Sequence, residues 1–180
     1  MKKIILLALS VVFTTITFGQ EIPQLKLTPD GVEPIVVEVE GMSASEIYQK
    51  ALDWVKESYK NPEEVLKAKF KGQKIRLNGY KSSAWWHKSV GYTHYMNMDY
   101  TLEISFKDGR YRFDYIIGQF YLDGGQKTLY SYDAFYRKKD GSVKRSYTDA
   151  VPSLEKTMND LSLSFYNYVS GVALDTDDDW

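Results

Sequence analysis

The 180-residue sequence predicts an α+β domain of two layers, an antiparallel sheet with two helices on one face. Three observations point there. From Tyr95 to Leu122 runs a long β-hairpin whose strands alternate apolar and polar side chains. A helical apolar period runs from Ile47 to Tyr59, and a second follows Pro152. Antiparallel sheets bury one face and wet the other, so two amphipathic helices suffice as cover.

The chain opens with Met1-Lys2-Lys3 and an almost wholly apolar run from Ile4 to Ile16. Small residues at Thr17 and Gly19 then precede Gln20. A basic start, a short apolar stretch and a small-residue site predict a secretory signal peptide over residues 1–19, cut between Gly19 and Gln20. The run is shorter than the roughly 20 residues a spanning helix needs, so no membrane span is expected in the mature chain. The expected location is periplasmic or secreted. Loss of Lys2 and Lys3 takes the formal net charge from −1 to −3, too balanced for a global pull toward nucleic acid or anionic lipid. With no Cys the domain has neither disulfides nor thiol chemistry, and it relies on its core. Fifteen Tyr supply much of that bulk, and each buried hydroxyl needs a partner.

Residues 20–32 carry two prolines and Asp30-Gly31 and read as a leader along the surface; the domain proper is expected over 33–172. Ile35, Val37 and Val39 alternate with Val36, Glu38 and Glu40, a strand with an acidic outer face. Ser43 and Glu46 fit a capping box, opening a helix that buries Ile47, Ala51, Trp54 and Val55 and ends near Tyr59, ahead of Pro62. Val65 to Phe70 and Lys74 to Tyr80 read as two short strands across Lys71-Gly72-Gln73. Their apolar sets are Leu66, Ala68 and Phe70, then Ile75 and Leu77; Lys67, Lys69, Lys74 and Arg76 take the opposite faces. Residues 81–94 have no clean period and read as a connection with a strand-like part near Trp85.

In the main hairpin, Met96, Met98, Tyr100, Leu102, Ile104 and Phe106 form one face and Tyr95, Asn97, Asp99, Thr101 and Glu103 the other. Asp108-Gly109 suits a two-residue type I′ turn. Pairing Lys107 with Arg110 sets Phe106 opposite Tyr111, Ile104 opposite Phe113 and Leu102 opposite Tyr115, so all large apolar side chains share a side. The chain then turns at residues 123–125, with a second possible hairpin at Lys139 to Ser142. A final helix from Pro152-Ser153 carries Leu154, Met158, Leu161, Phe165, Tyr168 and Val172 as its apolar seam and ends at Gly171. Residues 173–180 are an acidic tail.

These residues resemble a known family. The stretch Glu33 to Phe70, with its valine-rich strand, Gly41 to Ser45 entry and helix from Ile47 through Trp54, together with Asp108 to Phe113 (DGRYRF), resembles the Bacteroidota exported domain-of-unknown-function family 4468 with a TBP-like fold. The resemblance covers roughly residues 33–122 and implies a β-α-β-β-β-β-α order. It carries no catalytic signature.

A saddle of that kind invites a nucleic-acid reading, since the TATA-box-binding protein uses its open sheet face on the minor groove. Here the open face mixes Glu38, Glu40, Asp99, Glu103 and Asp114 with Lys67, Lys69, Arg76 and Arg112, whereas phosphate binding needs a coherent basic field. No nucleic acid is expected. His87 and His94, the two histidines, are separated by six residues and match no zinc spacing; with Asp99 they would be the candidate ligands. No metal or cofactor is expected. A hydrolytic triad would have to recruit one of the two, and no G-x-S-x-G elbow exists. The acidic tail lacks the Gly and terminal Glu of a calcium loop.

The most informative local feature is Trp85-Trp86-His87 beside Tyr80, Tyr92 and Tyr95. Adjacent Trp on a strand point to opposite faces, so one is core and the other is available to a sugar ring or a partner protein. The candidate ligand-binding residues are Trp85, Trp86, His87, Tyr95, Asp99, Glu103 and Arg112, and the expected partner is an envelope protein or a glycan. A non-enzymatic binding domain is the first reading and a periplasmic hydrolase the alternative.

Overall fold

The computed structural model describes residues 22–122 and 124–172. A small ribbon of β1 (Leu27–Thr28) and β2 (Gly31–Val32) precedes β3 (Ile35–Glu38), α1 (Ala44–Ser58) and a single turn α2 (Pro62–Val65). Then come β4 (Leu66–Phe70), β5 (Lys74–Ser89), β6 (Tyr92–Lys107), β7 (Arg110–Tyr121), 3₁₀ turns at Tyr132–Phe135 and Arg145–Tyr147, and α3 (Ala150–Ser170). The main sheet is antiparallel throughout, in the order β3-β7-β6-β5-β4. From β3 onward the elements follow the β-α-β-β-β-β-α order, with α2 added, and α1 and α3 cover one face.

The β6–β7 hairpin has the expected register: Lys107 opposite Arg110, Phe106 opposite Tyr111, Ile104 opposite Phe113 and Leu102 opposite Tyr115. Its turn differs from expectation, because only Gly109 adopts positive φ and a type I′ turn needs it at both central residues. Tertiary contacts hold this turn instead. Asp108 Oδ1 accepts the Ala44 N–H at 2.8 Å, and the Gly109 N–H donates to the Met42 carbonyl at 2.8 Å.

The reading of residues 81–94 as a connection is corrected. β5 continues to Ser89 and pairs with β6 to its end, interrupted by a bulge between Lys81 and Trp85. Beyond Leu77 this strand has no β4 beside it, and the start of α3 caps its edge. Trp86 N–H donates to Ser153 Oγ at 3.1 Å, and Thr157 Oγ1 donates to the Ala84 carbonyl at 2.6 Å. An exposed ladder edge is thereby satisfied by side chains.

On β4 a bulge between Leu66 and Ala68 reverses the expected faces. Leu66 stays opposite Leu77, but Ala68 pairs with Arg76 and Phe70 with Lys74, so both turn outward and Lys69 turns in beside Ile75. Phe70 is exposed as a result.

α1 starts on the expected capping box. Ser43 Oγ accepts the Glu46 N–H at 3.3 Å and Glu46 Oε2 accepts the Ser43 N–H at 2.7 Å. That pairing holds the Glu46 carboxyl below the usual carboxylate range, first through the Ser43 backbone N–H and then its hydroxyl. Ser43→Ala is expected to destabilise the protein by about 1 kcal/mol in urea unfolding, the usual worth of a lost N-cap.

α3 begins at Ala150, earlier than expected, because Pro152 is tolerated in a first turn where no intrahelical donor is needed. Its buried seam is Ala150, Leu154, Met158, Ser162, Phe165 and Val169; Leu161 and Tyr168 lie at its margin and Val172 is exposed. Phe165 is central, its ring 5.1 Å from Trp54, 4.8 Å from Tyr111 and 6.0 Å from Phe113. The Lys139–Ser142 segment forms a turn closed by one bridge, Tyr136 to Val143, without flanking strands.

The leader does not lie along the surface. Leu25 and Leu27 are buried, and the Leu25 N–H and carbonyl both bond the Asn159 side chain, at 2.7 and 3.1 Å. The signal-peptide reading and the acidic tail lie outside the described residues.

Candidate functional site

The helix-free face of the sheet is built from the outward residues of its three long strands. Along β6 these are Tyr95, Asn97, Asp99, Thr101 and Glu103. On the β5 side they meet Trp86 opposite Tyr95, Tyr80 opposite Asp99, Asn78 opposite Thr101 and Arg76 opposite Glu103. On the β7 side Tyr121 lies opposite Asn97, Ile116 opposite Thr101 and Asp114 opposite Glu103.

Two halves differ in chemistry. Toward the β6–β7 turn the charges neutralise one another. Glu103 takes Lys74 at 3.0 Å and Arg76 at 3.6 Å, while Asp114 takes Arg112 through Nε at 3.0 Å and the guanidinium end at 2.7 Å. The Asp114 bond raises the Arg112 pKa further. Such exposed pairs add little stability, and with their partners in place they offer little to a ligand.

Toward the β5–β6 turn the face is aromatic around one carboxylate. The Tyr121 hydroxyl donates to Asp99, which raises the tyrosine pKa, and its ring lies 5.9 Å from that of Tyr80. Tyr80 and Tyr95 are 52% and 57% exposed, so their ring faces are accessible. Asn97 Oδ1 accepts the Ser83 N–H at 2.9 Å and fixes the β5 bulge against this face. A groove of about 630 Å³ runs from Glu64 and Lys67 past Asn78 and Tyr80 to Asp99, Thr101 and Gly118.

The seven sequence candidates therefore separate. Trp86, Tyr95 and Asp99 share the aromatic half. Glu103 and Arg112 share the face but are engaged in ion pairs. Trp85 is fully buried, its ring 5.0 Å from Phe120 and 4.8 Å from Phe135. A residue with no accessible surface cannot contact a ligand. His87 lies on the helix side, its ring 5.2 Å from His94 and 5.6 Å from Tyr147. Burial, then the neighbouring His94, depresses its pKa and favours the neutral imidazole.

Because Asp99 projects from the other face of β6, it cannot join the two imidazoles around a metal. Among the described residues neither histidine bonds a carboxylate, and no three metal-ligating side chains cluster. A hydrolytic triad requires a carboxylate orienting the histidine, and the imidazole pair lacks that geometry here. A second pocket, about 200 Å³, opens on the helix side between Lys81, Tyr100, Tyr115, Asp160 and Leu161, below the usual size of a small-molecule site.

Tyr121 is the residue that alternation alone misplaces. Counting from Tyr111 in steps of two sets it on the core side. The bulge at Gly118-Gln119 adds one residue between the pairs Ile117–Tyr100 and Phe120–Met98, turning Phe120 inward and Tyr121 outward. Gly118 was the available signal, since glycine inside a strand often marks a bulge.

Residues 35–115 match the family described as "Domain of unknown function (DUF4468) with TBP-like fold". Two solved structures share the architecture. A DUF4468 family protein from Bacteroides ovatus ATCC 8483 superposes with a TM-score of 0.56 at 15% identity, covering 86% of this chain and 92% of that one. A TBP-like protein from Parabacteroides distasonis ATCC 8503 gives 0.53 at 15% identity, covering 78% and 93%. Identity this low speaks to fold alone. No curated protein matches the chain.

Proposed function

For a chain that resembles the DUF4468 family and carries its TBP-like fold, we propose the function of an exported, non-enzymatic binding domain that takes its ligand on the open sheet face. The observation that carries this reading is the aromatic half of that face. Tyr80 and Tyr121 flank Asp99 and the Trp86–Tyr95 pair lies further along the same face, with no helix over them, and two of the four rings are more than half exposed. A folded domain gains nothing by leaving such rings in water, whereas aromatic anchors beside a polar group are what interfaces and sugar sites use. Asp99 retains acceptor capacity beyond the Tyr121 bond, since a carboxylate has about four lone-pair sites. A glycan or an envelope protein fits this chemistry. Export rests on the Met1–Gly19 sequence.

The test is affinity capture from an envelope extract on immobilised protein, comparing the natural chain with Tyr80→Ala/Asp99→Asn. The variant is expected to lose at least about tenfold in retained ligand, on the scale of a hot-spot truncation, with a melting temperature close to that of the natural chain. Equal retention by both proteins would remove the open face as the binding site.

A further inference from the structure

We propose that the β5–β6 tip is a lipid-facing anchor that seats this protein on an anionic bilayer surface. Ser89 pairs with Tyr92, so Val90-Gly91 forms a two-residue loop, and both central residues adopt positive φ, 50° and 80°. Asn-Gly or Gly-Gly relaxes such a turn, whereas a β-branched side chain is strained in it. The same Val90 is 92% exposed, so no packing in the described fold compensates the strain. Strain and an exposed apolar side chain coincide at one residue, and such strain tends to cluster at functional sites.

The surroundings select the partner. Tyr92, next to the apex, is 72% exposed, and the cross-strand pair Trp86–Tyr95 stands on the opposite face roughly 13 Å behind Val90. Apolar apex first and amphipathic rings behind it match the succession from acyl chain to headgroup to water, where Trp and Tyr concentrate. On the hairpin itself the charge has one sign: residues 82–98 hold no Asp or Glu, and Lys88 Nζ sits 5.6 Å over the Trp86 ring; the acid near this end is Asp149, at the start of α3. The Arg145–Tyr147 turn packs beside β5 through Tyr147 against His87, placing Arg145 at this end. Neither Lys88 nor Arg145 has an ion-pair partner among the described residues. In a chain of formal net charge −1, this is a local basic end beside an apolar apex. An anionic membrane surface offers the matching pair of attractions. No described helix is long and apolar enough to cross a bilayer, so the contact is peripheral as far as helices go.

The test is flotation of the purified protein with vesicles of phosphatidylcholine alone or with roughly 30% phosphatidylglycerol added. Binding is expected to the anionic vesicles and to weaken with salt. Val90→Asn should cut it about tenfold, the partitioning of one aliphatic side chain, while raising the melting temperature because Asn tolerates the turn. Lys88→Glu should weaken binding severalfold. Tyr80→Ala should leave it unchanged, which keeps the tip independent of the open-face ligand. Anionic vesicles that do not retain the natural chain, or retain Val90→Asn equally well, overturn the proposal. Loss of an envelope protein on Val90→Asn without vesicle binding by either form also overturns it, assigning the tip to a protein contact.

Discussion

Replacing Trp85 by Ala is expected to lower the unfolding free energy by about 3–5 kcal/mol, measured by urea denaturation. Its indole is fully buried between Phe120 and Phe135, with Met96 opposite on β6. Truncation leaves a cavity that the two flanking rings cannot close and that Met96 fills only in part. Trp85→Phe should recover most of the loss. The Trp85 Nε1 has no hydrogen-bond partner among the described residues, and a desolvated donor left unmade costs about 1–3 kcal/mol, which Phe avoids. Trp86→Ala should cost less than about 1 kcal/mol, being partly exposed. A Trp85→Ala loss below that of Trp86→Ala would show that the buried and accessible members of the pair had been interchanged.

Gly79→Ala carries the second large effect. A Cβ there would stand 2.2 Å from Tyr100 Cζ and 2.4 Å from its hydroxyl oxygen. The ring has no easy escape: its hydroxyl is 2.9 Å from that of Tyr59 and it stacks on Tyr115 with centroids 5.2 Å apart. Burial raises the pKa of all three tyrosines, so each is a neutral phenol at ordinary pH and the cluster is held by packing and one hydrogen bond. Overpacking of this kind costs about 1–3 kcal/mol. Combining Gly79→Ala with Tyr100→Val should destabilise by at least about 1 kcal/mol less than the sum of the single changes, since the two sites contest the same space. Strict additivity would mean that the ring moves aside freely. Gly118 presents the contrasting case, because its added Cβ would lie 2.7 Å from the Asp99 carbonyl oxygen. Backbone cannot swing aside as a side chain does, so a methyl group there presses directly on the strand that carries Asp99.

The candidate site was half legible. Tyr95 and Asp99 could be singled out from composition and alternation, since an outward residue on a regular strand stays outward; Trp86 could be named only together with Trp85, because the Lys81–Trp85 bulge breaks the count on β5. Tyr121 could not, because one bulge between it and Phe113 reverses the count. Glu103 and Arg112 looked available because one strand's sequence does not tell which cations stand across from it. Ala68 and Phe70 failed for the reason Tyr121 did.

Local chemistry enforces the α+β class, the register of the hairpin from its Lys107–Arg110 turn back to Leu102 and Tyr115, the Ser43–Glu46 cap, the end of α1 before Pro62 and the halt of α3 at Gly171. Each depends on spacing within one or two elements. The tertiary structure alone decided which Trp is core, that Leu25 docks on Asn159, that α3 seals the free edge of β5, and that Tyr80 and Tyr121 flank Asp99. Those outcomes depend on register carried across bulges and on which edges and faces remain unpaired after the strands assemble. A side chain's face is a local property only while its strand stays regular, and in this sheet the irregular residues assemble the face where function is proposed.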